Sequence, residues 1–139
     1  GEINAAIGLE QMERLEQFIA KRRELAKMLS ETLAGVAGIT TPTEEKGCRH
    51  IYQSYVVMLD KSIKRDKVVD KLKKAGVEAT QGADAVHMQP YYMKKYGYKQ
   101  GEIKNSALAA AQSLALPMHT KLTQEDIRTI TTAVAAAVK

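Results

Sequence analysis

The sequence predicts an α+β fold with one long N-terminal helix, a small and mostly antiparallel sheet of about three strands, and helices packed on one face of that sheet. Three observations predict this fold. Apolar residues recur at helical spacing over the first 33 positions, β-branched and aromatic residues crowd positions 50–59, and an Ala-rich helical pattern occupies positions 104–112. The 139 residues, 45% of them hydrophobic, form a single domain that can bury a core without disulfides or metals.

The first predicted element is a helix from position 3 to about position 33. A helix of about 30 residues is roughly 45 Å long, whereas a compact domain of this size has a diameter under roughly 40 Å. We therefore expect the helix either to bend near Gly8 or to leave Ile3 and Ile7 outside the core of this chain. Because the sequence has no initiator Met and enters the helical pattern at once, we also expect it to be cut from a longer protein.

The middle of the chain alternates strand and helix. After a polar connection, the segments are a strand at 50–59, an amphipathic helix at 64–76 and a second strand at 77–80. The predicted helix ends at Gly76, because glycine readily takes the left-handed conformation that commonly ends a helix. This order of strand, helix and strand predicts a compact βαβ-like unit.

The last part of the chain is predicted to be mostly helical. Its segments are a loop at 81–90, one or two helical turns at 91–96, an Ala-rich helix at 104–112, a short apolar stretch at 113–117 and a final helix from position 123 to the end. Asp126, three residues after Thr123, indicates a weak capping box at the start of the final helix.

The charge pattern permits an acidic partner but does not require one. The net charge is +5 and the pI is near 9.3, yet the 21 Lys and Arg are interspersed with 16 Asp and Glu, as on solvated helix faces. No apolar run approaches the ~20 residues that a membrane span requires, so we expect no membrane partner. The single Cys48 cannot form an internal disulfide, which favours a reducing, cytoplasmic location.

The residues taken by themselves predict no catalytic, cofactor-binding or metal-binding site. The three His, at positions 50, 87 and 119, are more than 30 residues apart, and no Cys lies at a metal-site spacing from them. Cys48 is two residues from His50, on what would be the same strand face, but no third group orients the pair, so we expect an incidental Cys. The glycines do not have the spacing of a phosphate-binding loop.

One segment, positions 87–100, concentrates aromatic and cationic side chains. Four of the six Tyr lie between positions 91 and 98, together with Lys94 and Lys95. Rings beside cations can stack the bases and bind the phosphates of a single-stranded nucleic acid, or bind a nucleotide-linked small molecule by the same contacts. The rings can also cover a small core with their hydroxyls in water. Composition leaves these three interpretations open, so a nucleic-acid-binding or regulatory module and a structural interaction domain are both alternatives to an enzyme.

Five segments resemble, in the same order, the C-terminal small domain of the DegT/DnrJ-type sugar aminotransferases, a branch of the fold type I pyridoxal-phosphate enzymes. The segments are EINAAIGLEQMERLEQFIAKRRELA (2–26), RHIYQSYVVMLD (49–60), KRDKVVDKLKKAGVEAT (64–80), VHMQPYY with YGY (86–98), and NSALAAAQSLALPMH with LTQEDI (105–127). Each motif is short, but together they cover essentially the whole chain.

This resemblance implies transfer of an amino group, dependent on pyridoxal 5'-phosphate (PLP), from glutamate or glutamine to a keto group, commonly of a nucleotide-linked sugar. In the family, the Schiff-base lysine, the Asp at the pyridine nitrogen and most phosphate contacts lie in a large domain that precedes this one. We therefore expect this chain to bind no PLP and to be inactive alone. The resemblance also implies that it packs on the large domain of its own parent chain, within a homodimer, and closes the substrate side of the cleft.

Four residues match the family's substrate-side motifs. His87 and Gln89 correspond to the H-x-Q-P segment near the substrate entrance, and Tyr52 and Gln53 correspond to the strand near the substrate. Many relatives have His at the position of Gln53 and a His-Tyr pair in the stretch that here reads QGADA (81–85). These two departures leave open which sugar is bound and whether the substrate is a nucleotide sugar at all.

Overall fold

The computed structural model describes all residues, 1–139, and contains six α-helices and four short strands. In chain order the elements are α1 (Glu2–Glu13), α2 (Leu15–Leu33), β1 (Ile39–Thr40), β2 (Tyr55–Leu59), α3 (Arg65–Lys74), β3 (Thr80–Gln81), a one-turn 3₁₀ helix (Val86–Met88), α4 (Pro90–Tyr96), α5 (Lys104–Gln112), β4 (Ser113–Leu116) and α6 (Gln124–Ala137). This arrangement confirms the predicted α+β fold, with one more strand than expected. None of the helices combines the length and the apolar composition needed to cross a bilayer.

The four strands form one antiparallel sheet in the order β1-β2-β4-β3. β4 pairs with β2 on one side and with β3 on the other, and both pairings are antiparallel. As a result, β2 and β3 run parallel to each other with β4 between them. The predicted strand-helix-strand unit is therefore present, but a strand from much later in the chain separates its two strands.

The core lies between one face of the sheet and helices α2, α3 and α6. In β2, the buried Tyr55, Val57 and Leu59 alternate with half-buried neighbours, and Tyr55 and Val57 lie opposite Leu116 and Leu114 of β4. The helices contribute buried aliphatic residues to the same cluster: Leu25, Leu29 and Leu33 from α2, Val68 and Leu72 from α3, and Ile127, Ile130 and Val134 from α6. Full burial of each such side chain contributes roughly 1.5–3 kcal/mol, so this face fixes the three helices on the sheet.

Two predicted strands are shorter than their sequence patterns. Residues 50–54 of the predicted 50–59 strand have no strand partner, and Tyr52 takes a left-handed conformation (φ 48°) that a regular strand cannot contain. The predicted strand at 77–80 reduces to Thr80–Gln81, although Val77 and Ala79 are buried in the core. The apolar pattern at 77–80 thus reports burial rather than strand pairing.

The N-terminal helix is interrupted at Arg14 and not at Gly8. The Arg14 amide donates to the carbonyl of Gln11 (3.2 Å), three residues back, and this tighter turn separates α1 from α2. Gly8 lowers helix stability by only about 1 kcal/mol relative to Ala, so the helix continues through it. No residue of α1 is buried, and Ile3 and Ile7 are 77% and 57% exposed. This confirms the expectation that the first turns lie outside the core of this chain.

Truncation of one leucine in α2 and one in α1 tests this placement of the core. Leu29 is fully buried, whereas Leu9 is 70% exposed. We expect Leu29→Ala to lower the free energy of unfolding by about 2–5 kcal/mol, because it leaves a cavity. The matched Leu9→Ala should change it by less than about 0.5 kcal/mol. Urea unfolding followed by circular dichroism measures both, and equal losses would contradict the exposed position of α1.

The capping box at the start of α6 gives a pH-dependent prediction. Thr123 Oγ1 accepts from the Asp126 amide (3.2 Å), and the Asp126 carboxylate accepts from the Thr123 amide (2.8 Å). The bonds from the Thr123 amide and hydroxyl lower the pKa of Asp126 below its usual 3.8. The stability that Asp126 contributes is therefore present above pH 3.8 and is lost as the pH falls through its lower folded-state pKa.

We expect Thr123→Ala to lower the free energy of unfolding by about 1 kcal/mol. The penalty of Asp126→Asn, measured by urea unfolding at a series of pH values, should shrink on acidification because the wild-type carboxylate is then protonated. Thr129→Ala on the exposed face of α6 is the control and should show no pH-dependent difference from the wild type. A penalty of Asp126→Asn that is constant with pH would argue against the capping box.

Candidate functional site

The segment 50–53, directly before β2, is held by two adjacent arginines of α2. Arg22 Nη1 donates to the backbone oxygens of Tyr52 (3.0 Å) and Gln53 (2.7 Å). Arg23 Nη1 donates to the backbone oxygen of His50 (2.7 Å). Backbone oxygens that have no strand partner are thus bonded to side chains instead.

Tyr52 is the only non-glycine residue with a positive φ. Its amide donates to His50 Nδ1 (2.9 Å), and the centroid of its ring lies 4.2 Å from that of His50 and 6.3 Å from that of Tyr55. The Tyr55 hydroxyl bonds to Ser30 Oγ (2.8 Å), and burial raises the pKa of Tyr55 above its usual value. A bulky residue in the left-handed region is sterically disfavoured and persists only where its surroundings hold it, which is common at functional sites.

An ion pair fixes the other side of this segment. The Glu44 carboxylate accepts from Arg23 (2.5 and 3.1 Å) and from the His50 amide (2.9 Å). The Arg23 guanidinium first, and then the His50 amide, lower the pKa of Glu44 to about 2. A second pair joins Arg49 to Glu16 near the start of α2 (2.5 Å). Surface ion pairs of this kind add little to the free energy of unfolding. Their role here is to hold residues 44–50 against α2.

A cavity of about 340 Å³ lies beside the segment 50–53. Its lining is apolar with a few polar groups, and comprises Leu15, Phe18, Ile19, Arg22, Ile51, Gln53 and Thr120. An apolar wall with a few fixed polar groups is the usual composition of a small-molecule site. The cavity includes Gln53, which the resemblance identifies, and Arg22, which the charge pattern places on a solvated helix face.

His87 and Gln89 lie in a different region, at the start of α4. His87 is 5% exposed, its ring meets the Tyr98 ring edge-on (6.1 Å), and its Nε2 is buried without a hydrogen-bond partner. A second cavity, of about 440 Å³, is lined by Val86, His87, Tyr92, Tyr96, Tyr98, Ile103 and Ser106. Gln89 is the exposed N-cap residue of α4 and lines neither cavity. Within this chain, therefore, Gln53 and His87 belong to separate cavities.

The tyrosines of the 87–100 segment pack against one another. The Tyr91 and Tyr92 rings are perpendicular at 5.3 Å, those of Tyr92 and Tyr96 are stacked at 5.9 Å, and those of Tyr96 and Tyr98 lie at 6.3 Å. Lys95 Nζ lies 5.3 Å from the centroids of the Tyr91 and Tyr96 rings and donates to the Tyr91 hydroxyl (2.9 Å). The rings thus contact one another, but Tyr91, Tyr92 and Tyr96 remain exposed and none of the four tyrosines packs on the hydrophobic core.

The QGADA stretch (81–85) is compact and has no room for a side chain at Gly82. A Cβ atom there would lie 2.4 Å from Val56 Cγ1. The Gln81 side-chain amide donates to the Ala83 carbonyl (2.6 Å) and to the Asp84 carboxylate (2.8 Å). A turn held by its own side-chain hydrogen bonds therefore occupies the stretch for which the resemblance implies a His-Tyr pair.

Sequence reasoning names Gln53 as a substrate-side candidate, which stays a prediction, and it does not name Arg22, Arg23 or Glu44. The KRR run at 21–23 is typical of a solvated helix face, and no local pattern reveals a contact with backbone about 30 residues away. The one available signal is the spacing of Arg22, which lies three residues from both Ile19 and Leu25 and so falls in line with the apolar stripe of α2.

The lysines of this chain do not fit a covalent PLP site. All except Lys21 are exposed, and Lys21 Nζ lies 3.0 Å from the Glu24 carboxylate on the surface of α2. A catalytic lysine of this kind needs to be held against the cofactor in an enclosed site. The residues around the two cavities can enclose and hydrogen-bond a ligand, but they do not supply the group that would carry PLP.

The comparisons with known proteins agree with the five-segment resemblance. Residues 1–135 match the model of the DegT/DnrJ/EryC1/StrS aminotransferase family. The UDP-4-amino-4-deoxy-L-arabinose–oxoglutarate aminotransferase of Shewanella sediminis is 30% identical to this chain, over 99% of the chain and 37% of the relative. The solved aminotransferase TlmJ from Streptoalloteichus hindustanus has a TM-score of 0.84 at 30% identity, over 96% of this chain and 35% of that one.

A solved PLP form of the putative sugar aminotransferase Spr1654 from Streptococcus pneumoniae shares the fold, with a TM-score of 0.88 at 18% identity, over 99% of this chain and 36% of that one. The chain thus spans about a third of the length of the curated relatives that it matches, between 35% and 37% for the first three. On the match over residues 1–135, the chain belongs to the DegT/DnrJ/EryC1/StrS aminotransferase family.

Proposed function

We propose that this chain is the C-terminal small domain of a PLP-dependent aminotransferase that acts on a keto group of a nucleotide-linked sugar. The observation that carries the proposal is the family match over residues 1–135, in a chain about a third as long as its relatives. The exposed lysines agree with this division, because the covalent PLP site then belongs to the remaining two thirds. The exposed Cys48, with no partner for a disulfide, fits a cytoplasmic enzyme.

The substrate class is proposed from the Shewanella sediminis relative, whose name pairs a UDP-linked amino sugar with oxoglutarate. Oxoglutarate is the keto acid that glutamate becomes when it gives up its amino group, so glutamate is the proposed donor, with glutamine as the alternative. PLP would supply the chemistry of amino transfer, as in the PLP form of the Streptococcus pneumoniae protein.

This domain would enclose the substrate side of the cleft. The proposed substrate contacts are Gln53 and His87, which line the first and the second cavity, together with Tyr52 and Gln89, which line neither cavity. The Gln53 amide can both donate and accept, which suits the hydroxyl and carbonyl groups of a keto sugar. The two cavities would face one cleft only when the large domain of the parent chain completes it, and the apolar side chains of α1 would pack on that domain in a homodimer.

The alternative of a nucleic-acid-binding module relied on tyrosine faces that were free for base stacking. Tyr91, Tyr92 and Tyr96 pack on one another but remain 60%, 38% and 58% exposed, so this packing does not separate the two functions. Aminotransferase function is the better-supported proposal because the family match covers residues 1–135.

The first functional prediction is that this chain alone forms no site-specific PLP adduct and transfers no amino group. Incubation with PLP, borohydride reduction and peptide mass spectrometry would show only scattered labelling of exposed lysines, well below one equivalent per chain. The full-length enzyme is the control and should carry one adduct, on a lysine outside these 139 residues. Labelling of one lysine of this chain to a full equivalent would contradict the proposal that the PLP lysine lies outside these residues.

The second functional prediction concerns Gln53. In the full-length enzyme, Gln53→Ala should raise KM for the keto-sugar nucleotide about tenfold, as expected for the loss of one hydrogen bond worth about 1–1.5 kcal/mol. The matched control, Gln124→Ala, removes an exposed amide from the start of α6 and should leave KM unchanged. Steady-state kinetics with the sugar as the varied substrate measures both, and identical KM values for the two variants would remove Gln53 from the site.

A further inference from the structure

We propose that Arg22 is a positioning residue, which holds Tyr52 and Gln53 in the conformation needed to meet the substrate; this inference rests on the function proposed above. The segment 50–53 has no strand or helix of its own, so its backbone groups need other partners. Arg22 provides them at the two residues nearest to β2, through a single nitrogen that lies 3.0 Å from the Tyr52 oxygen and 2.7 Å from the Gln53 oxygen.

The conformation that Arg22 holds is one that Tyr52 does not prefer. At φ 48°, Tyr52 lies in the left-handed region, where its Cβ crowds the backbone. No glycine relieves the strain, and the segment has no strand partner on either side. The side-chain bonds from α2 and the bond from the Tyr52 amide to His50 Nδ1 (2.9 Å) therefore have to keep it in place.

The two neighbouring arginines have separate tasks. Arg23 bonds to the His50 oxygen and to Glu44, and so fixes the start of the segment. Arg22 bonds only within 52–53, the two positions proposed to contact the substrate, and it also lines the cavity that contains Gln53. Both bonds come from Nη1, whose two hydrogens are fixed in the plane of the guanidinium, whereas the ammonium of Lys rotates freely and is more strongly hydrated.

The local effect of Arg22 can be measured in this chain by amide hydrogen exchange. Arg22→Met keeps much of the apolar stem and removes the donors. We expect exchange of the Tyr52 amide to accelerate at least about tenfold, the factor that corresponds to one lost hydrogen bond, while the Leu114 amide in the central strand β4 keeps its rate. Arg128→Met on α6, whose side chain is exposed and unpaired, is the matched control and should change neither rate.

A second background separates positioning from general stabilisation. Tyr52→Gly removes the steric cost of the left-handed conformation, since glycine adopts positive φ freely. If Arg22 acts by holding that conformation, the effect of Arg22→Met on the exchange of the amide of residue 52 should be smaller in the Tyr52→Gly background than in the wild type. If Arg22→Met accelerates exchange of the Tyr52 and Leu114 amides equally, Arg22 has a purely structural role and the proposal is wrong. If it changes neither rate, Arg22 does not hold the segment and the proposal is also wrong.

The consequence for the reaction is tested in the full-length enzyme. Arg22→Met should raise KM for the keto-sugar nucleotide about tenfold with kcat within about twofold, because it disorders residues that bind substrate rather than the reacting groups. Arg22→Lys should recover only part of this loss, whereas Arg128→Met should match the wild type. A fall in kcat at constant KM, or full recovery by Lys, would contradict the proposal. A wild-type enzyme without amino-transfer activity would refute the proposed function instead, and the exchange rates would still report on Arg22.

Discussion

The arrangement of the whole domain depends on the antiparallel pairing of β4 with β2, because this pairing joins the last quarter of the chain to its middle. Residues Tyr55–Leu59 and Ser113–Leu116 are more than 50 positions apart, and the hydrophobic cluster depends on their alignment. With Val57 opposite Leu114, both side chains point to the same face and join α2, α3 and α6 in one core. A shift by one residue would turn the buried residues of β2 to the other face. The register is therefore set by burial.

This pairing also determines where the candidate site lies. β2 begins at the buried Tyr55, so the residues just before it leave the sheet where α2 crosses the core. The buried side of α2 holds Leu25 and Leu29. Arg22, three residues before Leu25, continues the same stripe, and Arg23 lies beside it, so both reach the 50–53 backbone. Packing thus brings the arginines to the segment, and their hydrogen bonds then allow a tyrosine to remain in the left-handed region. The site depends on the core for its position and on two side chains for its shape.

The elements that the sequence predicts well are those with a periodic apolar pattern. The final helix and the helix at 64–76 each have several repeats of one spacing, which burial on one face requires. The strand at 55–59 is a continuous apolar run, YVVML, and is predicted from its β-branched and aromatic residues instead. Strands β1 and β3 have two residues each, too few to show any period. Arg22 shows why site residues are harder to predict from sequence. Its partners are backbone carbonyl oxygens, which every residue has, so the residue types at 52 and 53 do not indicate the contact. The left-handed Tyr52 is equally hidden, since positive φ is predicted from Gly or Asn and not from Tyr.

Helix α1 has exposed apolar side chains on two faces, and the proposed parent enzyme would have to cover both of them. Ile3 and Ile7 are one helical turn apart and share a face, whereas Leu9 and Met12 lie on roughly the opposite face at 100° per residue. All four are more than half exposed here. A helix that packed on a single neighbour would bury one stripe and leave the other in water, at a cost of roughly 1.5–3 kcal/mol for each large apolar side chain left exposed. Two apolar faces are better satisfied between two surfaces, which is the environment that a large domain and a second subunit would provide. The proposed homodimer thus accounts for a helix that no part of this chain covers.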